Sequence, residues 1–143
     1  MTEKEKFYIS FNKEVATVQS SEVNGESQEQ AFTRVCLDML TQVGETYNAV
    51  VAYDEKGLGT KGQHKINGYA ISENYENVDL FISLYSNSSE IKSIPKADID
   101  TAAKRISNFF RKAVYDDYAN EVAESSEIFE FAHTLATYQE LKD

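Results

Sequence analysis

The residues most suggestive of chemistry form a glycine-rich run, Gly57-Leu58-Gly59-Thr60-Lys61-Gly62. The run fits the dinucleotide-binding pattern GxGxxG and follows a stretch with the composition of a strand. A phosphate-binding turn must also open a helix, whereas this run leads into another strand, and Gln63 stands where a P-loop has its lysine. We interpret the run as a flexible strand connection, with a phosphate site as the alternative that its positive charge leaves open. The basic side chains expected to be solvated there are Lys56, Lys61, His64 and Lys65.

Histidine and cysteine are scarce in this chain. His64 and His133 are the only histidines, and they lie far apart in the chain without a Ser or Cys nearby in a nucleophile motif. Each is expected to be structural or solvent-facing. Cys36, the single cysteine, lies on a predicted helix stripe and is expected to be a small core hydrophobe.

Three acidic residues, Glu73, Glu76 and Asp79, crowd one predicted strand connection. They raise the question of a calcium site, but they lack the alternating Asp/Asn pattern and central glycine of an EF-hand loop. We interpret them as solvated turn acids, and we expect neither a bound metal nor a cofactor.

Charge argues against nucleic acid as a general partner. The chain of 143 residues has 24 Asp and Glu against 14 Lys and Arg, a formal charge of −10 that repels phosphate. One basic stripe nevertheless lies on the third predicted helix, opposite its apolar side. The stripe consists of Lys104, Arg105, Asn108, Arg111 and Lys112. It is either an ordinary solvated face or a binding face for a partner or nucleic acid.

The length and the 41% apolar content favour a single domain over residues 1–143. The lone cysteine, the polar N-terminus and the absence of any apolar run of about 20 residues point to the cytoplasm, with no membrane contact.

Apolar spacing predicts four helices. The first has the stripe Phe7, Phe11, Val15 and Val18, and the second opens with Ser27 three residues before Gln30, a capping-box spacing. The predicted buried stripe of the second helix is Phe32, Val35, Cys36, Met39, Leu40 and Val43.

The third helix is expected to begin near Pro95 and the fourth near Ser125 or Ser126. The third buries Ile99, Ala102, Ala103, Ile106, Phe109, Phe110 and Ala113, and the fourth buries Ile128, Phe131, Ala132, Leu135 and Tyr138. Between the second and third helices, residues 49–53, 66–72 and 78–85 are rich in β-branched and aromatic residues and predict three strands. Because residues 78–85 are apolar at nearly every position, we expect that strand to be central. The order predicts an α/β sandwich with an antiparallel meander of about three strands and about four helices.

Two of these strands carry a family resemblance. The strings Ile66-Asn67-Gly68-Tyr69-Ala70-Ile71-Ser72-Glu73 and Val78-Asp79-Leu80-Phe81-Ile82-Ser83-Leu84-Tyr85 resemble the N-terminal domain of the abortive infection phage resistance family. So do Lys96-Ala97-Asp98-Ile99 and Asn108-Phe109-Phe110, and the resemblance runs from about residue 28 to residue 141.

That resemblance implies a fold similar to restriction endonucleases of the PD-(D/E)xK type, as the N-terminal domain of a longer defence protein. Family proteins usually continue into a further strand, so an open sheet edge is expected. A working nuclease of this type has an Asp on the second strand, with an acid and a Lys two apart on the third, to hold Mg²⁺ and position water. By the resemblance these positions fall on Asn67, Ile82 and Leu84, which cannot do so, and a register shifted by one gives Phe81 and Ser83, which cannot bind a metal either.

We therefore hypothesise a non-catalytic binding or regulatory N-terminal domain of an abortive-infection phage-defence protein, with a degenerate nuclease-like fold. One alternative is a nuclease subunit whose active site is completed by a C-terminal region or another subunit. Another is a homodimerisation or protein-interaction module. The expected partners are the rest of the parent chain and a protein partner or second copy, while nucleic acid is expected to bind weakly.

Overall fold

A computed structural model of the chain describes residues 1–21, 27–138 and 141. In these residues, three strands and four α-helices form the predicted α+β arrangement. The helices are α1 (Glu3–Ser21), α2 (Gln28–Gln42), α3 (Lys96–Tyr115) and α4 (Phe129–Thr137), with a short 3₁₀ turn at Tyr118–Glu121 before α4. The strands are β1 (Val50–Lys56), β2 (His64–Ile71) and β3 (Val78–Phe81). No helix in the described ranges is long and apolar enough to cross a membrane.

The sheet is an antiparallel meander in the order β1-β2-β3, so β2 is its central strand. The expectation that residues 78–85 form the central strand is wrong. Strand β3 ends at Phe81 and lies at the edge, and beyond it Leu84 is 38% exposed. An apolar run indicates that both faces of a strand are at least partly buried. It does not indicate how many neighbouring strands pair with that strand.

The main core lies between the sheet and the layer formed by α3 and α4. Phe109, Tyr118 and Phe131 are at most 1% exposed, and Ile66 of the central strand packs among them. The Tyr69 ring stacks on Phe131, with centroids 3.9 Å apart. Burial of each such side chain stabilises the fold by about 1.5–3 kcal/mol.

Helix α2 lies between α1 and the other face of the sheet. Its predicted capped start is confirmed, because the Ser27 hydroxyl accepts a hydrogen bond from the Gln30 backbone at 3.1 Å. The predicted buried stripe is right at Val35 but wrong at Met39, Leu40 and Val43, which are 36–72% exposed. The buried residues of α2 all lie in its N-terminal two thirds, where α1 and the sheet cover it.

Helix α3 matches its prediction with smaller corrections, whereas α4 begins at Phe129 without a side-chain cap, so the expected start near Ser125 or Ser126 is wrong. Helix α3 follows Pro95 as expected, but Ile99 in its first turn is half exposed and Ala103 is exposed. In the α4 stripe, Phe131 and Leu135 are fully buried, whereas Tyr138 is 42% exposed. Ile99 and Tyr138 lie at helix ends, whereas Ala103 lies in the middle of α3 on its exposed side.

Candidate functional site

A buried polar cluster forms where the N-terminus of α2 meets β2. The Ser27 cap fixes the first turn of α2, and this turn carries Glu29 and Gln30 toward the sheet. A carboxylate in the first turn also interacts favourably with the helix dipole. Gln30 is 8% exposed and donates through Nε2 to the backbone oxygen of Asn67 at 3.2 Å.

Asn67 is the centre of this cluster and is completely buried. Its amide nitrogen donates to Glu29 Oε2 and to Gln30 Oε1, each at 2.8 Å. Its amide oxygen accepts from the Ser83 backbone nitrogen at 2.9 Å. Both amide hydrogens and the oxygen are therefore engaged within the protein.

Lys65 supplies the positive charge of the cluster. Its ammonium lies 3.0 Å from Glu29 Oε2 and 3.8 Å from Glu55 Oε2, and 5.8 Å from the centre of the Tyr53 ring. The residue is only 8% exposed, so the expectation that Lys65 is solvated is wrong. Burial and a hydrogen bond with Glu55 raise the pKa of the Tyr53 hydroxyl, which stays protonated.

Asn67, Ile82 and Leu84, the three positions that the resemblance equates with the nuclease site, do not bring their side chains together in this structure. Asn67 contacts Ser83, and the Ser83 hydroxyl lies 2.5 Å from that of Thr33 on α2. Side chains alternate along an extended chain, so Ile82 and Leu84 are directed away from the face that Ser83 shares with Asn67. Neither of them brings a polar group to the cluster.

The glycine after Asn67 allows this close packing. A Cβ atom on Gly68 would lie 2.9 Å from the Val50 oxygen and 3.0 Å from Leu37 Cδ1. The approach to the Val50 oxygen is closer than a Cβ atom can make, so a larger residue would displace the β1 backbone, and the Leu37 side chain would have to shift by a few tenths of an ångström. The glycine after Asn67 therefore allows β1 and the Leu37 side chain of α2 to pack closely on β2.

A second polar group lies on the opposite face of β2. His64 Nε2 is 2.9 Å from Asp54 Oδ2, and the Tyr118 hydroxyl donates to the same oxygen at 2.7 Å. Burial acts to raise the pKa of Asp54, but hydrogen bonds from His64 and Tyr118 outweigh it and leave this pKa below its usual range. His64 is 0% exposed, and its Nδ1 has no hydrogen-bond partner among the described residues. The expectation that His64 is solvated is therefore wrong, and its burial agrees with the alternative of a structural histidine.

The predicted basic stripe of α3 divides into two parts. Arg105 donates to Gln63 Oε1 at 3.0 Å, and Asn108 donates to the backbone oxygens of Gln63 and Lys61 at 2.8 and 3.3 Å. These two residues thus tether the glycine-rich run, which joins β1 to β2 as predicted. The Lys112 side chain reaches the same loop beside Gly62, whereas Lys104 and Arg111 are exposed.

The remaining candidates lie apart from the cluster. His133 is exposed and its ring stacks on Phe129, and Glu73, Glu76 and Asp79 are exposed. Cys36 is partly buried on α2, and burial raises the pKa of its thiol to about 11. Within residues 1–21, 27–138 and 141, no group of three or more His, Cys, Asp or Glu side chains is placed to hold a metal ion.

Most contacts in the Asn67 cluster and in the His64 group were not predicted from the sequence. Glu29 is 36 residues from Lys65 and 38 from Asn67, and Asp54 is 64 residues from Tyr118. Local spacing cannot show such contacts. The one available signal was Gln30: its side chain, read as half of a capping box, is instead hydrogen-bonded to Asn67.

The fold and this internally paired cluster define a small α+β domain, and comparison with known proteins gives its family. The sequence model of the abortive infection phage resistance protein N-terminal domain matches residues 32–142. The chain therefore belongs to that family, which indicates an abortive-infection phage-defence protein. No curated protein and no solved structure matches the chain.

Proposed function

We propose that this chain is a non-catalytic binding or regulatory domain of a phage-defence protein, with a fold related to PD-(D/E)xK nucleases whose metal site has been lost. The observation that carries the proposal is the pairing of Asn67. Its side chain bonds to Glu29, Gln30 and the Ser83 backbone, so the position that the resemblance equates with the nuclease aspartate holds α2 on the sheet.

Electrostatics support the loss of metal binding. Mg²⁺ is held by carboxylates with several retained waters, and a neutral amide is a much weaker ligand. At this cluster the Glu29 carboxylate already has a counter-charge, the Lys65 ammonium at 3.0 Å. A cation would have to displace that ammonium from a largely buried position, leaving a charge without its partner.

One observation favours a second candidate, a nuclease whose site is completed elsewhere in its parent protein or by another subunit. Glu29 and Glu55 both approach Lys65, so two acids and a lysine share one side of the sheet. That composition is shared with one-metal nucleases, although the ammonium here lies against the acids.

A cleavage assay tests the proposal. Purified domain is incubated with supercoiled plasmid in Mg²⁺ or Mn²⁺, beside Glu29→Gln and the exposed control Glu90→Gln. We expect no nicking above the protein-free control from any of the three. Nicking that Glu29→Gln abolishes and Glu90→Gln retains would overturn the proposal.

Metal titration gives a second, independent readout. By calorimetry with Mn²⁺ we expect no saturable binding to the wild-type domain, and saturable binding would count against the proposal. Assaying the full-length parent protein in parallel separates the two candidates. Cleavage by that protein, lost on Glu29→Gln there, favours the completed nuclease.

A further inference from the structure

The central strand contains an Asn-Gly pair, Asn67-Gly68, that the fold requires on two separate grounds. The Asn67 side chain makes three hydrogen bonds that hold α2 on the sheet. Gly68 is required because a Cβ atom at this position would lie 2.9 Å from the Val50 oxygen. Asn-Gly is also the dipeptide that loses its side-chain amide most readily, since no side chain on the glycine hinders attack by its backbone nitrogen. A chemically labile pair therefore lies in the middle of the sheet.

Deamidation of this pair is a ring closure followed by hydrolysis. The Gly68 backbone nitrogen gives its proton to a hydroxide ion of the solvent and forms a bond to Asn67 Cγ. The Cγ–Nδ2 bond breaks, and the amide nitrogen takes a proton from water and leaves as ammonia. Water then adds to either carbonyl group of the succinimide ring, which opens to aspartate or isoaspartate. The reaction consumes water, releases ammonia and involves no oxidation or reduction, so solvent is its only co-reactant.

The folded domain opposes each step. Asn67 lies within a strand, and ring closure needs a rotation about its Cα–C bond that extended backbone does not allow. Ser72 donates to the backbone oxygen of Asn77 at 2.9 Å, so these two residues form a bonded pair. Bonded and non-bonded pairs alternate along an antiparallel ladder, which makes Gly68–Phe81 a bonded pair as well and occupies the attacking N–H. Asn67 is also 0% exposed, which excludes the water that the reaction consumes.

Deamidation therefore requires that β2 separate from its neighbours. Strand β2 lies between β1 and β3, so Asn67 gains water and rotational freedom only when a large part of the sheet opens. The rate in the folded protein is then the rate in the unfolded chain multiplied by the fraction of molecules that are open.

The products do not fit the closed cluster. The Asn67 amide donates to Glu29 Oε2 and Gln30 Oε1, each at 2.8 Å, and a carboxylate has no hydrogen to donate to either. Its negative charge would also lie beside Glu29, whose counter-charge is the Lys65 ammonium at 3.0 Å. Isoaspartate in addition lengthens the main chain by a methylene group, which breaks the register of β2 with both neighbouring strands. Conversion of Asn67 therefore opposes closure of α2 on the sheet.

We propose that Asn67 is a latent modification site, which the closed fold protects from deamidation and which converts irreversibly to aspartate or isoaspartate when β2 opens. After conversion, the hydrogen bonds that hold α2 on the sheet no longer form. The site thus limits the lifetime of the domain under conditions that open it. This inference goes beyond the proposed function and is independent of whether the domain cleaves nucleic acid.

Peptide mapping by mass spectrometry measures the conversion. The wild-type domain is incubated in mildly alkaline buffer with and without urea, and fragment spectra assign deamidation to Asn67. Methylation by an isoaspartate methyltransferase counts the isoaspartate product. We expect deamidation at Asn67 to be at least about a hundredfold slower in native buffer than in urea. In urea, Asn24-Gly25, the other Asn-Gly pair of the chain, should react within about threefold of Asn67.

Three substitutions separate the chemistry from the fold. Phe131→Ala leaves the Asn-Gly pair intact but weakens the core on the other face of the sheet. It should accelerate deamidation at least about tenfold in native buffer and change the rate in urea less than about twofold. The exposed control Phe7→Ala should leave both rates within about twofold of wild type. Gly68→Ala, compared in urea so that its fold does not matter, should slow the reaction about tenfold because its Cβ atom hinders the attack.

A fourth substitution reproduces one product directly. Asn67→Asp should unfold at a lower urea concentration than wild type, whereas the exposed control Asn120→Asp should not. Equal deamidation rates in native buffer and in urea, or no acceleration by Phe131→Ala, would show that opening of the fold does not control the reaction and would overturn the inference. So would an Asn67→Asp domain as stable as wild type, because conversion would then leave α2 able to close.

Discussion

The two faces of β2 are built by different kinds of interaction. Toward α2, Lys65 and Asn67 contact Glu29 through charge and hydrogen bonds. Toward α3 and the 3₁₀ turn, Ile66 lies among aromatic rings, including Phe109 and Tyr118. Neighbouring residues of one strand thus belong to environments that respond differently to substitution.

The two kinds of interaction differ in how strongly they depend on the relative positions of their partners. Apolar burial depends on area and tolerates small shifts, so the aromatic face loses stability in proportion to the volume removed. A buried hydrogen-bonded cluster contributes little net free energy when complete, but it costs much when one member is removed and its partners stay buried. Three substitutions test this contrast.

The largest loss is expected on the aromatic face. Phe131→Ala removes a ring that is 1% exposed and that stacks on Tyr69 and Phe109, so the free energy of unfolding should fall by about 3–5 kcal/mol. Urea denaturation followed by circular dichroism measures it. The control is Phe7→Ala, whose ring is 58% exposed and whose loss should be below about 1 kcal/mol. Equal losses would show that the α4 layer is not the main core.

A smaller but disproportionate loss is expected on the polar face. Asn67→Ala removes few atoms, yet it deletes three buried hydrogen bonds, those of its amide with Glu29, Gln30 Oε1 and the Ser83 backbone nitrogen. The same measurement should show a loss of about 2–3 kcal/mol, against less than about 0.5 kcal/mol for the exposed Asn120→Ala. A neutral result at Asn67 would mean that the cluster is not a cohesive unit.

The smallest effect concerns Asp54, a carboxylate bonded to Tyr118 on the aromatic face, and it depends on pH. The folded pKa of Asp54 is lowered, so its contribution is present above the unfolded pKa of about 3.9 and is lost as pH falls through the folded value. Asp54→Asn should therefore cost about 1–2 kcal/mol at pH 7 and less at pH 3. Denaturation curves at both pH values check this, with the exposed Asp100→Asn as control. A cost that does not change with pH would contradict the assigned hydrogen bonds to His64 and Tyr118.

Features with a local cause were predictable from the sequence. The Ser27 cap, the helix start after Pro95 and the strand-to-strand role of the glycine-rich run all depend on neighbouring residues. The extent to which neighbouring elements cover each helix or strand was not predictable. Met39 and Val43 fit the stripe of α2 but lie beyond its cover, and the apolar β3 lies at the edge.

The polar cluster was the least predictable part. Lys65 follows a glycine-rich turn, in a part of the sequence that has the composition of a solvated loop. Its burial depends on the carboxylate of Glu29, 36 residues earlier. Asn67 was identified through the family resemblance, which marked the position but gave no information about its bonds. Only the packing of α2 against β2 determines that Glu29 and Gln30 meet this amide.

Cys36 lies six residues beyond Gln30 on α2, the helix that holds Asn67 in place. Because only the thiolate attacks alkylating reagents, a pKa of about 11 leaves roughly one molecule in a thousand reactive at pH 8. Transient separation of α2 from its neighbours would return this thiol to its ordinary reactivity. The chain thus contains its own chemical reporter, since iodoacetamide should label its single cysteine faster under conditions that open this helix.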